Sequence, residues 1–141
     1  MLGCAFVNEV VAQAAATAAL HPEVRTVVEI GGEDSKLIFL KQSEVTGAPE
    51  TADFAMNTMC AAGTGSFLDQ QASRLGLSIE QFGQEALRSV APPRVAGRCS
   101  VFAKSDMIHL QQKATPTHDI VAGLCYALVR NFKSTVGSAT T

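Results

Sequence analysis

The spacing of apolar positions predicts a helix followed by two strands in the first third of the chain. An alanine-rich segment follows Asn8 and stops before Pro22, which predicts a helix over 8–20 with Asn8 as its N-cap. β-branched and apolar residues over 25–30 and 37–40 predict two strands of the buried type. The segment between them is rich in glycine and polar residues, so we expect a glycine turn there.

The rest of the chain is predicted to be mostly helical. A polar loop over 42–53 leads into a short third strand that begins at Phe54. Ser78 and Gln81 have the spacing of a capping box, and Gly76 is suited to end the helix before it. The predicted fold class is α/β, a small mixed sheet over about 25–56 with several helices packed on it. Helices after the sheet are predicted at 64–75, 79–88, 100–112 and 118–136.

Composition narrows the class of protein. The chain has 141 residues, 47% of them hydrophobic, which is the length and apolar content of one ordinary domain. Its 11 basic and 13 acidic residues form no run of like charge, so nothing favours nucleic acid or an anionic membrane as a partner. No apolar run reaches the roughly 18 residues of a membrane span, and the start lacks a basic signal-peptide region. We therefore predict a cytoplasmic protein.

Carboxylates crowd the predicted glycine turn. Glu29, Glu33 and Asp34 surround Gly31-Gly32, with Ser35-Lys36 directly after them. A glycine pair between two strands is typical of a plain hairpin, because it supplies the positive φ that tight turns need. Three close carboxylates repel one another, however, unless a cation or a magnesium-bound phosphate lies among them. The residues leave both interpretations open.

Two of the four cysteines precede predicted helices. Cys60 is followed by Ala61-Ala62 and then Gly63-Thr64-Gly65, and Cys99 by the helix predicted over 100–112. The N–H groups of a helix start lack partners within the helix and stabilise an anion, so this turn could hold a phosphate or a thiolate-ligated metal cluster. The alternative is that both are small buried side chains, as free cysteines usually are. We expect Cys125 to be a core residue of the last helix.

The combined motifs resemble the activator family of 2-hydroxyacyl-CoA dehydratases and benzoyl-CoA reductases. The resemblance extends over nearly the whole chain in collinear order. Its most specific parts are Cys60-Ala-Ala-Gly-Thr-Gly65 and the second cysteine, Cys99, whereas the glycine turn is shared with sugar kinases, actin and chaperone ATPases. The motifs that carry the resemblance are Asn8-Glu9, Glu29-Ile-Gly-Gly-Glu-Asp-Ser-Lys36, Met56-Asn-x-x-Cys60-Ala-Ala-Gly-Thr-Gly65 and Cys99-x-Val-Phe-Ala-x-Ser-Asp106.

The resemblance implies an ATP-driven electron-transfer protein. It implies part of an actin-like, ribonuclease H-like ATPase domain in which residues 29–36 form the second phosphate loop and bind ATP with Mg²⁺. Glu9 and Glu29 would organise Mg²⁺ and the attacking water. Cys60 and Cys99 would be the two ligands that each protomer of a homodimer gives to one bridging [4Fe-4S] cluster. An electron from ferredoxin or flavodoxin would pass through it to a dehydratase or reductase.

Two expected motifs are absent from these 141 residues. They lack a Gly-x-Asp-x-Gly-Ser-Thr first phosphate loop and the glycine-rich adenosine motif, so we expect an incomplete ATPase and iron–sulfur domain, a piece of a longer protein. Glu33 lies where the small activators often have glutamine. The motif Glu33-Asp34-Ser35-Lys36 is more similar to that of the long activases with duplicated ATPase modules. Two other functions remain open. One is a sugar or metabolite kinase of the same fold without a cluster, and the other is a non-enzymatic module that holds a partner or zinc through its thiols.

Overall fold

A computed structural model describes residues 6–44, 47, 49–57, 61–97 and 99–137. Helix α1 (Glu9–Leu20) precedes three strands, β1 (Thr26–Ile30), β2 (Ser35–Gln42) and β3 (Pro49–Asn57). A short 3₁₀ turn (Ala61–Gly63) then leads to four helices. These are α2 (Gly65–Arg74), α3 (Ile79–Leu87), α4 (Ser100–Gln112) and α5 (Thr117–Thr135).

Local signals in the sequence set the helix boundaries as predicted. The Asn8 side chain caps α1 by accepting a 2.9 Å hydrogen bond from the Val10 N–H. Ser78 and Gln81 form the predicted capping box at the start of α3, each side chain accepting from the other residue's backbone N–H. Gly76 has a φ of +70°, the left-handed conformation that ends α2. All five predicted helices are confirmed to within one or two residues.

The sheet differs from the prediction in two respects. Its strand order is β1-β2-β3 and both pairings among the described residues are antiparallel, so it is not the mixed sheet that was predicted. The predicted polar loop over 42–53 is also wrong, because β3 already begins at Pro49, opposite Gln42. Proline is tolerated there since it lies at the first position of an edge strand, where no ladder hydrogen bond depends on its nitrogen.

Two apolar clusters hold the elements together. The smaller joins Val10 and Ala14 of α1 to Ile38 and Leu40 of β2, so α1 covers one face of the sheet. The larger is built around α5, which has apolar residues at helical spacing on the face that packs against α2, α3 and α4. The members of the larger cluster are Phe67, Ala72, Phe82, Val95, Ala103, Met107, Ile120, Val121, Leu124, Ala127 and Leu128.

None of the helices in the described parts of the chain is long and apolar enough to cross a membrane.

Candidate functional site: a buried lysine at a glycine turn beside a helix start

The glycine turn is a tight hairpin between β1 and β2. Ile30 pairs with Ser35 across the sheet, and the Gly31 N–H donates a 2.9 Å hydrogen bond to the Asp34 carbonyl oxygen. A Cβ on Gly31 would lie 3.2 Å from that oxygen and also 3.2 Å from the Asp34 carboxylate, closer than most side-chain contacts. The segment is therefore a hairpin, but Gly31 and Gly32 lack the positive φ that was expected, and the missing side chain of Gly31 instead permits the close approach to Asp34.

Lys36 is the central charged group of this turn. Side chains alternate along β2, so Lys36 points to the same face as Ile38 and Leu40, towards α1, and only 1% of the residue is exposed. A buried ammonium is costly unless carboxylates surround it. The sequence predicted Lys36 as a cofactor ligand, but in the structure its partners belong to the chain itself.

Three carboxylates from three elements meet at the Lys36 ammonium. The Nζ atom lies 2.7 Å from Asp34 Oδ1 in the turn, 3.4 Å from Glu29 Oε2 on β1 and 3.4 Å from Glu9 Oε1 at the start of α1. Burial by itself would lower the pKa of Lys36, but the hydrogen bond to Asp34 and the charges of Glu29 and Asp34 raise the pKa above its usual value. Lys36 is therefore a fully charged ammonium at neutral pH.

The ammonium explains the carboxylate crowding that the sequence shows. We expected the carboxylates to repel one another unless a metal ion or a magnesium-bound phosphate lay among them; Lys36 supplies one positive charge between Glu29 and Asp34 and so reduces this repulsion. Glu33 is exposed and makes no salt bridge in the part of the chain described. No group of three His, Cys, Asp or Glu side chains among the described residues is arranged to hold a metal. Lys36 offsets one of the three carboxylate charges around it, so the chain itself compensates the crowding only in part.

Ser35, also a predicted cofactor ligand, is fully buried. Its hydroxyl has no hydrogen-bond partner among the described residues, which is uncommon for a buried polar group. At 0% exposure it could contact a bound phosphate only after the turn rearranges.

The start of α2 is attached directly to the glycine turn. The Gly65 N–H donates a 2.7 Å hydrogen bond to the Gly31 carbonyl oxygen, and the Ser66 N–H a 3.1 Å bond to the Gly32 carbonyl oxygen. A Cβ on Gly65 would lie 3.2 Å from the Gly31 oxygen, so glycine permits this approach. The prediction of unpaired N–H groups at this helix start is wrong for both residues, because the turn satisfies them. Gly65 therefore serves to join two chain segments.

Gly63 and Thr64, the other predicted anion ligands, also make internal contacts. Thr64 is fully buried, and its hydroxyl donates a 2.7 Å hydrogen bond to the Ala61 carbonyl oxygen. Gly63 packs so closely on the side chains of Asn57 and Asn131 that a Cβ would lie 2.8 and 2.5 Å from their amide atoms. These residues fix the path of the chain into α2.

Cys99 occupies the predicted position at a helix start. It is the N-cap residue of α4, half-buried, and its side chain makes no capping hydrogen bond. Cys60 lies outside the residues that the structure describes, so its predicted place at a helix start stays a prediction. Cys125 is half-buried against the larger apolar cluster, and burial raises the pKa of its thiol, which confirms that it is a core residue.

Sequence reasoning missed the polar side chains that hold the chain between α3 and α4. Asp119 Oδ1 accepts hydrogen bonds from Ser89 Oγ and the backbone N–H groups of residues 90 and 91, and the bond from Ser89 contributes most to lowering its pKa. Asp106 accepts from the Ala96 N–H at 2.7 Å, and Arg130 donates to the Val95 carbonyl oxygen at 2.6 Å. A polar residue within the apolar stripe of α5, such as Asp119, is the signal that could have revealed them.

Comparison with solved structures defines the class of protein. The chain superimposes on component A of the (R)-2-hydroxyglutaryl-CoA dehydratase of Acidaminococcus fermentans with a TM-score of 0.84 and 30% identity, covering 96% of this chain and 49% of that one. The activator of the 2-hydroxyisocaproyl-CoA dehydratase from Clostridium difficile, solved with bound ADPNP, superimposes with a TM-score of 0.83 and 30% identity. That match covers 96% of this chain and 48% of the activator. The fold is therefore part of an actin-like ATPase domain.

Residues 3–139 match the BadF/BadG/BcrA/BcrD ATPase family, and the chain belongs to this family. It is 39% identical over 111 residues to the uncharacterized protein YjiL of Escherichia coli, covering 79% of this chain and 41% of that protein. It is 36% identical over 105 residues to the (R)-2-hydroxyglutaryl-CoA dehydratase activating ATPase of Acidaminococcus fermentans, covering 74% of this chain and 38% of that protein. The chain thus matches about two fifths of the length of these relatives.

Replacing Lys36 should destabilise the chain far more than replacing an exposed lysine of the same strand. Lys36→Met leaves three carboxylates without their common cation, and we expect a loss of about 1 to 3 kcal/mol in the free energy of unfolding. Lys41→Met is the control, since the Lys41–Glu50 pair is exposed and should contribute less than about 0.5 kcal/mol. Urea unfolding of both variants measures the difference.

The effect of Lys36→Met should also depend on pH. Because the folded-state pKa of Lys36 is raised, the ammonium stabilises the fold fully below its ordinary value of 10.5, and this contribution is lost as the pH rises through the folded pKa. The gap between wild type and Lys36→Met should therefore be constant near neutral pH and narrow above pH 10.5. Equal losses for the Lys36 and Lys41 variants would contradict the assigned role.

Proposed function

We propose that this chain is the part of an ATP-dependent reductive activator that joins its nucleotide site to its redox site. The parent protein would pass a low-potential electron to a 2-hydroxyacyl-CoA dehydratase or a benzoyl-CoA reductase-like partner. The similarity to a dehydratase activator and to a dehydratase activating ATPase supports this role. A component of the benzoyl-CoA reductase of Thauera aromatica, 30% identical over 105 residues, supports it as well.

The observation that carries the proposal is the attachment of α2 to the glycine turn. Gly65 and Ser66, five and six residues after Cys60, donate their N–H groups to the carbonyl oxygens of Gly31 and Gly32. If the turn binds the phosphates of ATP, any change in its backbone on nucleotide turnover moves the acceptors of these two hydrogen bonds. The start of α2 must then follow or lose both bonds. ATP turnover would thereby act on the segment that carries Cys60.

The residues at Cys99 suit a metal cluster. A half-buried thiol at the start of a 13-residue helix, with no capping hydrogen bond from its side chain, is available as a metal ligand, and a helix start favours a negatively charged group such as a cluster. We propose Cys60 and Cys99 as the ligands. A [4Fe-4S] cluster bound there would supply a reversible one-electron carrier.

Two proposed cysteine ligands per chain favour a homodimer. A [4Fe-4S] cluster is commonly held by four thiolates, which two copies related by a two-fold axis would provide. Val101 and Phe102, directly after Cys99, are 65% and 64% exposed. Large apolar side chains exposed beside a proposed shared site are typical of a contact surface.

The carboxylates have distinct proposed roles at the nucleotide side. Glu9 has 61% of its side chain exposed, so it is the carboxylate best placed to order a water or a hydrated Mg²⁺ ion. Glu29 and Asp34 are more buried and are oriented by Lys36. The Gly31 N–H is already donated to Asp34, which leaves the remaining backbone of residues 32–34 as the phosphate contact. ATP, Mg²⁺ and an electron donor such as ferredoxin or flavodoxin complete the proposed system.

Replacing either proposed ligand should abolish iron binding. After anaerobic reconstitution with iron and sulfide, the wild-type chain should hold iron and acid-labile sulfide and give a brown protein, whereas Cys60→Ser and Cys99→Ser should hold neither. Cys125→Ser is the control, since that thiol packs in the apolar cluster and should not affect iron. A colourless wild-type chain under the same conditions would contradict the proposal and favour the kinase. Zinc without sulfide would favour the thiol interaction module.

The 141-residue chain by itself should neither bind ATP tightly nor hydrolyse it. The resemblance places half of the nucleotide cleft in a first phosphate loop whose motif is absent from this sequence. Release of inorganic phosphate from ATP and Mg²⁺ is the measurement, and a full-length activator of this family assayed in parallel is the positive control. Turnover by the chain at the rate of that control would contradict the proposed division of the cleft.

A further inference from the structure

Asn131 is a buried amide at the C-terminal end of the buried face of α5. It is 4% exposed and follows Leu124 and Leu128 along the face that packs inward. Burying a carboxamide has a free-energy cost that an apolar side chain of the same volume would avoid, and the hydrogen bond of Asn131 to Gly97 offsets part of that cost. Its contacts show which segments it serves.

One contact of Asn131 is with the segment that leads to Cys99. Its Nδ2 donates a 2.6 Å hydrogen bond to the carbonyl oxygen of Gly97, two residues before the cysteine. Gly97 itself lies against α5, since a Cβ there would be 2.7 Å from the Ala127 carbonyl oxygen. Together with the hydrogen bond that Arg130 donates to the Val95 carbonyl oxygen, this bond fixes the chain just before α4 begins.

The other contact is with the segment that follows Cys60. Gly63 lies so close to Asn131 that a Cβ on it would be 2.5 Å from Asn131 Oδ1 and 2.8 Å from Asn57 Nδ2. Only a glycine allows this approach. The same side chain therefore touches both cysteine-bearing segments, at positions two and three residues from the cysteines in the sequence.

We propose that Asn131 is a positioning residue that sets the separation of the two cysteine-bearing segments. The inference rests on the proposed function, in which Cys60 and Cys99 act as a pair. Asn131 fixes the two segments relative to each other through one rigid side chain on the helix that forms the centre of the larger apolar cluster. It also extends the link from the glycine turn through the start of α2 to the segment before Cys99.

The test uses phenylarsine oxide, a probe that is held tightly only when two thiols bind it together. A background variant of the 141-residue chain, Cys4→Ala with Cys125→Ala, leaves only Cys60 and Cys99. Asn131→Asp keeps the shape but cannot donate to Gly97, and Asn131→Leu keeps the volume without the hydrogen bonds. Each should retain the arsenical roughly tenfold less well than the background, the size of effect expected when a residue that orients a ligand is lost.

The matched control is Asp119→Asn, which alters a buried polar residue on the same helix that bonds residues 89–91 instead. It should lower thermal stability but leave arsenical retention unchanged, which separates positioning from general destabilisation. Should Asn131→Asp not fold, Asn131→Leu decides. Retention equal to the background in the folded Asn131 variants would overturn the inference while the proposed function stands. If the background variant retains phenylarsine oxide no better than derivatives that keep only Cys60 or only Cys99, the two thiols do not bind as a pair. That result would overturn the pairing and the inference with it.

Discussion

The arrangement of this chain depends on two backbone hydrogen bonds between the first turn of α2 and the carbonyl oxygens of Gly31 and Gly32. Helix starts ordinarily leave their N–H groups to water, a side-chain cap or a ligand. Here a β-hairpin supplies the acceptors, and the lack of a side chain on Gly65 lets the two backbones meet. The bonds join the glycine turn, beside Lys36 and its carboxylates, to the start of α2.

On the sheet side, the shape of the turn is maintained by an internal cation. The Lys36 ammonium draws Glu9, Glu29 and Asp34 together from a helix, a strand and a turn, so the start of α1 and the hairpin are held at one point. On the helical side, α5 has the equivalent role. Its apolar face packs α2, α3 and α4, and its Asn131 side chain holds the extended segment before Cys99. A change at the turn therefore has a continuous set of contacts through which to reach Gly63 and Gly97, the residues that Asn131 contacts.

The sequence was sufficient where local chemistry decides the structure. The Asn8 cap and the Ser78 capping box each lie within a few residues of the groups they satisfy, and both were predicted correctly. The first half of β3 was not, because its polar residues on an exposed edge become a strand only by pairing with β2. Lys36 was predicted as a cofactor ligand, and its burial could not be predicted because its partner Glu9 comes from a distant element. The role of Asn131 likewise depends on two segments that meet only in the folded chain.

The most direct test of the account is amide hydrogen exchange at Gly65 and Ser66 in the folded chain, measured by NMR. If both N–H groups are donated to the glycine turn, they should exchange slowly, with protection close to that of the central strand β2. Exchange as fast as that of the exposed amides at an ordinary helix N-terminus would show that α2 is not attached to the turn. That result would contradict the proposed link between the nucleotide site and the cysteines.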